Sequence, residues 1–214
     1  MRQTIFISYS WANTSLADII DKAFQPTGLI IKRDVRELGY KGSIKDYMQQ
    51  VRSTDFVLLI ISENFLKSSN CMYEVLELLK DTDFKHKILP IIVDSTQIFK
   101  PQDRLEYIKF WTEQHKELEE KLKSVNTTDA IELYNDLKHY EKIRTSIDEF
   151  LGILSDINSP FFSELEKNNF QMIFDYVGVS DRVLINEILS LKNALTNEEK
   201  DIEMDKLEAK YPNN

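Results

Sequence analysis

Phe56-Val57-Leu58-Leu59-Ile60-Ile61-Ser62, followed closely by Phe65-Leu66-Lys67-Ser68-Ser69-Asn70-Cys71-Met72-Tyr73-Glu74-Val75, decides how this chain folds. The first run is short, continuous and apolar, which predicts a parallel strand covered on both faces. The second predicts a helix carrying one acid, Glu74, on a side otherwise made of Cys71, Val75 and Leu78. Open parallel sheets bind ligands beyond the carboxyl ends of their strands, so an acid delivered there beside Ser68 and Ser69 is a candidate catalytic group. Spacing alone leaves a second reading open, in which Glu74 is a solvated residue favoured by the helix N-terminus.

Outward from this unit the pattern repeats. Thr4-Ile5-Phe6-Ile7 runs into Ser8-Tyr9-Ser10-Trp11, Leu29-Ile30-Ile31 into Arg33-Asp34, and Ile88-Leu89-Pro90-Ile91-Ile92-Val93 into Asp94-Ser95. Helical stretches are expected between them: Leu16 to Phe24 with an apolar face of Leu16, Ile19, Ile20 and Phe24, then Ile44 to Val51, then Met72 to Lys80. Such alternation implies an α/β doubly wound parallel sheet with right-handed crossovers. In flavodoxin-like order its switch point lies between the first and third strands, and the loop Ser8 to Trp11 faces the helix carrying Glu74.

From Pro101 the composition turns to charged helix. Leu105, Ile108, Trp111, Leu118 and Leu122 share one face; after Asn126-Thr127-Thr128 a second stretch runs through Ile131, Tyr134, Leu137, Ile143, Ile147, Phe150, Leu151 and Leu154, with Asp129 and Glu132 as its cap. This predicts a helical hairpin inserted at about residues 101–158, its charged runs being solvated faces. A fifth strand is either short, near Ile153 to Ile157, or absent. Ser159-Pro160 reads as a helix start. Residues 179–214 read as a helical linker or tail, with Thr196-Asn197-Glu198-Glu199 opening a short helix that carries Ile202, Leu207 and Tyr211.

Composition sets limits. A chain of 214 residues, 42% hydrophobic, can bury one substantial core. Its net charge of -9 argues against nucleic acid, which is held by basic surfaces. Cys71 is the single cysteine, so no intrachain disulfide forms, and the expected compartment is the reducing cytoplasm; Cys71 itself reads as a small buried residue. No apolar run reaches the roughly 18 residues of a membrane span. His86, His115 and His139 are scattered among charges, which predicts no metal site. No phosphate-cradling glycine loop is present, and Ser8-Tyr9-Ser10 and Ser62 stand where a phosphoacceptor receiver would carry acids.

In order and spacing, Phe6-Ile7-Ser8-Tyr9-Ser10, Asp34, Gly39-Tyr40-Lys41-Gly42-Ser43-Ile44, and Ile60-Ile61-Ser62 with Ser68, Cys71 and Glu74 resemble a Toll/interleukin-1 receptor (TIR) domain over residues 1–178, in particular the bacterial branch that cleaves NAD. The resemblance implies hydrolysis or cyclisation of NAD with release of nicotinamide, NAD being the substrate and no resident cofactor being needed. It implies Glu74 as the catalytic residue and Ser8, Tyr9, Ser10, Trp11, Arg33, Asp34, Tyr40, Ser68 and Asn70 as substrate-binding residues. Arg33 to Ser43 is similar to the family's mobile covering loop, which also joins neighbouring subunits. Asn70 departs from the pattern, since many relatives carry tryptophan there. Self-association through TIR domains is implied, as are a role in bacterial defence and a sensor domain or partner outside this chain. The alternative the residues leave open is a non-enzymatic adaptor acting only by TIR–TIR association.

Overall fold

In a computed structural model, residues 3–33, 51, 53–157 and 159–179 are described. They form four parallel strands, β1 (Thr4–Tyr9), β2 (Ile30–Arg33), β3 (Phe56–Ile61) and β4 (Ile88–Ile92), in the order β2-β1-β3-β4. The order reverses between β1 and β3, which is the switch point of the flavodoxin-like order. Register is tight: Ile7 lies opposite Arg33 on one side and Leu58 on the other, and Leu59 lies opposite Pro90.

Because side chains alternate across a strand, each strand supplies two cores. Ile5, Ile7, Leu58, Ile60, Leu89 and Ile91 point to one face, where they meet Ala17, Ile20 and Phe24 of α1 (Thr14–Phe24). Phe162 and Leu165 of α7 (Phe162–Lys167) and Ile173 and Phe174 of α8 (Gln171–Tyr176) complete that layer. Phe6, Val57, Leu59, Ile61, Ile88 and Ile92 point the other way, against the short helix α2 (Glu63–Leu66) and α3 (Ser69–Leu78). The small helix α4 (Phe84–Lys87) leads into β4.

The predicted hairpin is α5 (Pro101–Leu122) and α6 (Ile131–Asp156), and it is no annex. Ile143, Ile147, Phe150, Leu151 and Leu154 are all fully buried in the same core as Phe6 and Leu59. Trp111, 2% exposed, donates its indole N–H to the Leu66 carbonyl at 2.9 Å, tying α5 to the end of α2.

Several expectations are corrected. In α1, Ile19 is exposed, and Ala17 and Asp21 take the buried positions beside Ile20 and Phe24. Ile153 to Asp156 are helical, because the three-and-four spacing of Ile147, Phe150, Leu151 and Leu154 continues under the sheet; the fifth strand position is a single bridge, Ile92 to Phe161. Ser159 starts no helix. Its hydroxyl donates to the Leu154 carbonyl and closes α6, while α7 is capped by Glu164, which accepts from the Phe161 N–H at 3.2 Å. Between α7 and α8 the chain turns at Asn169 and Phe170, which take left-handed backbone (φ 48° and 60°). Burial of the Phe170 ring against Phe24 and Phe162 offsets that strain. Asp129 and Glu132 do not cap α6: its N-cap residue is Ala130, with no side-chain capping hydrogen bond. The helix predicted at Ile44 to Val51 lies outside the described residues except for its last member, as does the tail beyond Val179. No described helix is long and apolar enough to cross a membrane.

Candidate functional site at the carboxyl end of the sheet

Strand parity builds this site. Ser8 has the same parity as Phe6, so its side chain points toward α3; it is 2% exposed, and its hydroxyl donates a short hydrogen bond to Glu74 Oε2. Glu74 is 9% exposed, in the second turn of α3 between buried Cys71, Val75 and Leu78. A carboxyl group held there is neither deep in the core nor freely solvated. Of the two readings that spacing leaves open, the solvated-surface one therefore fails for Glu74.

Local sequence explains how α3 delivers it. Ser68 is the N-cap and accepts from the Cys71 N–H at 3.3 Å, fixing the first turn; Asn70, exposed, sits one turn before Glu74 on the same helix face. Ser62 ends β3 and works twice, accepting from the Phe65 N–H at 3.0 Å and donating to Asn13 Oδ1 at 2.6 Å. Asn13 belongs to the turn Trp11–Asn13 that follows β1. The loop after β1 is thus fastened to the loop after β3, as the Ser10 carbonyl also receives the Asn13 N–H at 2.7 Å. Trp11 rides on this turn with 79% of its surface exposed.

Tyr9 and Arg33 go elsewhere. Tyr9 has the opposite parity to Ser8 and points toward α1, where its hydroxyl accepts from Arg33 Nη2 at 2.9 Å and its ring lies 5.0 Å from the guanidinium carbon. Arg33, 5% exposed, donates Nη1 to Asp18 at 2.7 Å and to Asp21 at 3.3 Å. Burial opposes its charge, but hydrogen bonds to Asp18, Tyr9 and Asp21 hold the guanidinium above its ordinary range. Arg33 is therefore a buried anchor at the point where the chain leaves β2. Of the predicted site residues, Ser8 and Glu74 touch, Ser10 and Trp11 stand on one rim, Ser68 and Asn70 on the α3 entry, and Tyr9 and Arg33 lie on the α1 side. Asp34 and Tyr40 lie outside the described residues.

Sequence reasoning passed over Asn13 as the partner of Ser62, and over Asp21 as the partner of Arg33. Each left a signal: Asn13 precedes a helix start, and Asp21 is an acid inside the apolar face that ends in Phe24. Among the described residues, no three His, Cys, Asp or Glu side chains gather as a metal site. Cys71 is buried and takes part in no disulfide.

A family model described as TIR domain matches residues 5–124, which take in all four strands, Ser8 and Glu74 and end just beyond α5. No curated protein matches the chain.

Proposed function

Since this chain belongs to the TIR domain family, we propose that it is a NAD nucleosidase, releasing nicotinamide from NAD with Glu74 as the catalytic residue. The observation that carries this reading is a nearly buried carboxyl group at the carboxyl end of the sheet, hydrogen-bonded by Ser8. One acid suffices for this chemistry. Glycosidases acting on oxygen-linked sugars need a second carboxyl group to protonate the leaving group. Nicotinamide leaves from a pyridinium: the bond between ribose C1′ and the ring nitrogen breaks, its electron pair neutralises that nitrogen, and no proton is required. Positive charge then develops at C1′, where a fixed carboxylate in a partly dehydrated site stabilises it. Water adds to C1′ and gives up a proton, yielding ADP-ribose; attack by the adenine ring instead yields a cyclic product.

The remaining residues take supporting roles in this scheme. Ser8 orients the Glu74 carboxylate, Trp11 offers an exposed aromatic face to a cationic ring at about 0.5–2 kcal/mol, and Ser10, Ser68 and Asn70 supply polar contacts around the ribose and phosphates. Asp34 and Tyr40 belong to the covering loop. Domains of this family generally self-associate, and in this reading assembly through that loop completes the pocket of an effector in cytoplasmic defence, triggered by a sensor outside the chain. Incubating the purified protein with NAD and resolving nicotinamide, ADP-ribose and cyclic products by chromatography tests the proposal. Nicotinamide release that disappears in Glu74→Gln supports it; no release by the wild-type chain at any protein concentration leaves the adaptor role in its place.

A further inference from the structure

An apolar groove of about 440 Å³ lies at the opposite end of the molecule from Glu74, along the outer edge of β4. Ile88, Leu89 and Pro90 of β4, Ile157 just past α6, and Ile173 and Tyr176 of α8 line it. Two large side chains stand open on the rim, Met172 at 57% and Tyr176 at 55% exposure. The groove is firmly built: the Tyr176 hydroxyl donates to the His86 carbonyl at 3.1 Å, and its ring meets Phe56 edge-on.

The groove exists because the fifth strand position is a single bridge. It also has a chemical selectivity. The Val93 N–H donates to Ile61 of β3, whereas the Ile92 N–H donates outward to the Pro160 carbonyl, both at 2.9 Å. Pro90, two residues before Ile92, therefore holds an outward-facing position and has no N–H to offer. A strand added alongside would meet a missing donor at the centre of the edge, so the edge is closed to strand addition. An occupant must be held through its side chains.

Where the chain goes next identifies that occupant. Past α8, Gly178 takes the left-handed conformation (φ 76°), and the Val179 N–H returns to the Phe174 carbonyl at 2.9 Å. Residue 180 thus begins within about 14 Å of Tyr176, four residues at about 3.5 Å each. In the sequence that follows, Leu184, Ile188, Leu191 and Leu195 recur at spacings of four, three and four, flanked by Ile185 and Leu189, with Asn186, Ser190 and Asn193 between them. Tethering favours this segment over a second molecule, because a short linker holds it at an effective concentration of about millimolar. The groove is lined by ten residues, well short of the roughly 20–30 per side in a stable interface between copies.

We propose that this groove is the docking site for segment 180–195 of the same chain, with its leucine and isoleucine positions set into the apolar lining. The proposal is independent of any reaction at Glu74. It is tested in the full-length chain by pairing Met172→Cys with a cysteine at position 184, 188 or 191, and with Asn186→Cys or Asn193→Cys as polar-side controls. Mild oxidation at low protein concentration should give an intrachain disulfide for at least one apolar position, several-fold faster than for either control, since bridging needs Cα atoms within about 7 Å. Adding Leu195→Asp to the best pair should remove that advantage and speed hydrogen exchange in residues 172–177. Disulfide-linked dimers forming in place of the intrachain bond would assign the groove to a second copy and overturn the proposal. Equal rates at apolar and control positions would overturn it as well.

Discussion

At the scale of single residues, the chemistry proposed above rests on Ser8 and Glu74. Glu74→Gln keeps size and hydrogen-bonding capacity but removes the charge, so nicotinamide release should fall by about a hundredfold or more with the melting temperature unchanged. Ser8→Ala deletes a hydrogen bond to a charged group, worth about 1.5–3 kcal/mol. It should lower kcat/KM by about ten- to a hundredfold while circular dichroism stays native. Arg33 behaves differently. From its place at the end of β2, Arg33 with Asp34 reads as part of the covering loop, whose loss would spare stability. With Asp21 buried at 3% exposure against its guanidinium, Arg33→Ala should instead cost about 3–5 kcal/mol, read as a lower midpoint in urea. Glu74 was legible as a candidate from its place after a buried strand. The destination of the Arg33 side chain was not, because nothing local to Arg33 says which carboxylates α1 will bring beneath it.

At the scale of elements, two aspartates fasten strand ends and make stability pH-dependent. Asp55 accepts from the Thr4 N–H at 2.7 Å and from the Thr4 hydroxyl at 2.8 Å, joining the starts of β3 and β1; the backbone bond is the larger cause that holds its carboxyl below the usual range. Asp94, after β4, is held down chiefly by the Ser163 hydroxyl, with the Ser163 N–H at 3.2 Å. A carboxyl lowered in the folded state stabilises above its unfolded value of about 3.9 and loses that contribution as pH falls through the folded value. Asp55→Asn and Asp94→Asn should therefore lower the melting temperature by a nearly constant amount between pH 6 and 8 and flatten its fall below about pH 4, where they converge on the wild type. The hairpin gives a second test. Its helices were legible from their period, but not their place in the main core, since a helical stripe does not state which surface it covers. Ile147→Asp puts an unpaired charge among Phe6-side core residues and should unfold the whole sheet, not α5 and α6 alone, in a single cooperative transition followed by both far-UV and near-UV circular dichroism.

At the scale of the whole molecule, net charge bears on the assembly proposed above. A net charge of -9 opposes association at low salt. If the covering loop completes the pocket between copies, specific activity should rise with protein concentration and with added salt, and Tyr40→Ala or Gly42→Pro should suppress the rise in a folded protein. Light scattering alongside a dilution series checks it: constant specific activity from a monomer at every concentration would exclude assembly as the activator.

Period and punctuation in the sequence determined the four strands, the two long helices and the place of Glu74 on the helix that follows the third strand. These are local properties: a continuous apolar run, a three-and-four spacing and a serine at a helix start act within about a dozen residues. Tertiary structure alone decided the rest. Alternation along β1 sends Ser8 and Tyr9 to opposite faces, but only the crossovers, placing α3 over one face and α1 over the other, decide that Ser8 meets Glu74 while Tyr9 meets Arg33. Likewise, Ile147 to Leu154 stay helical and Phe161 makes one bridge because the helical stripe is buried more completely under the sheet than a fifth strand would be beside it. Those outcomes depend on which distant surfaces compete for the same side chains, and that competition is settled only when the layers close.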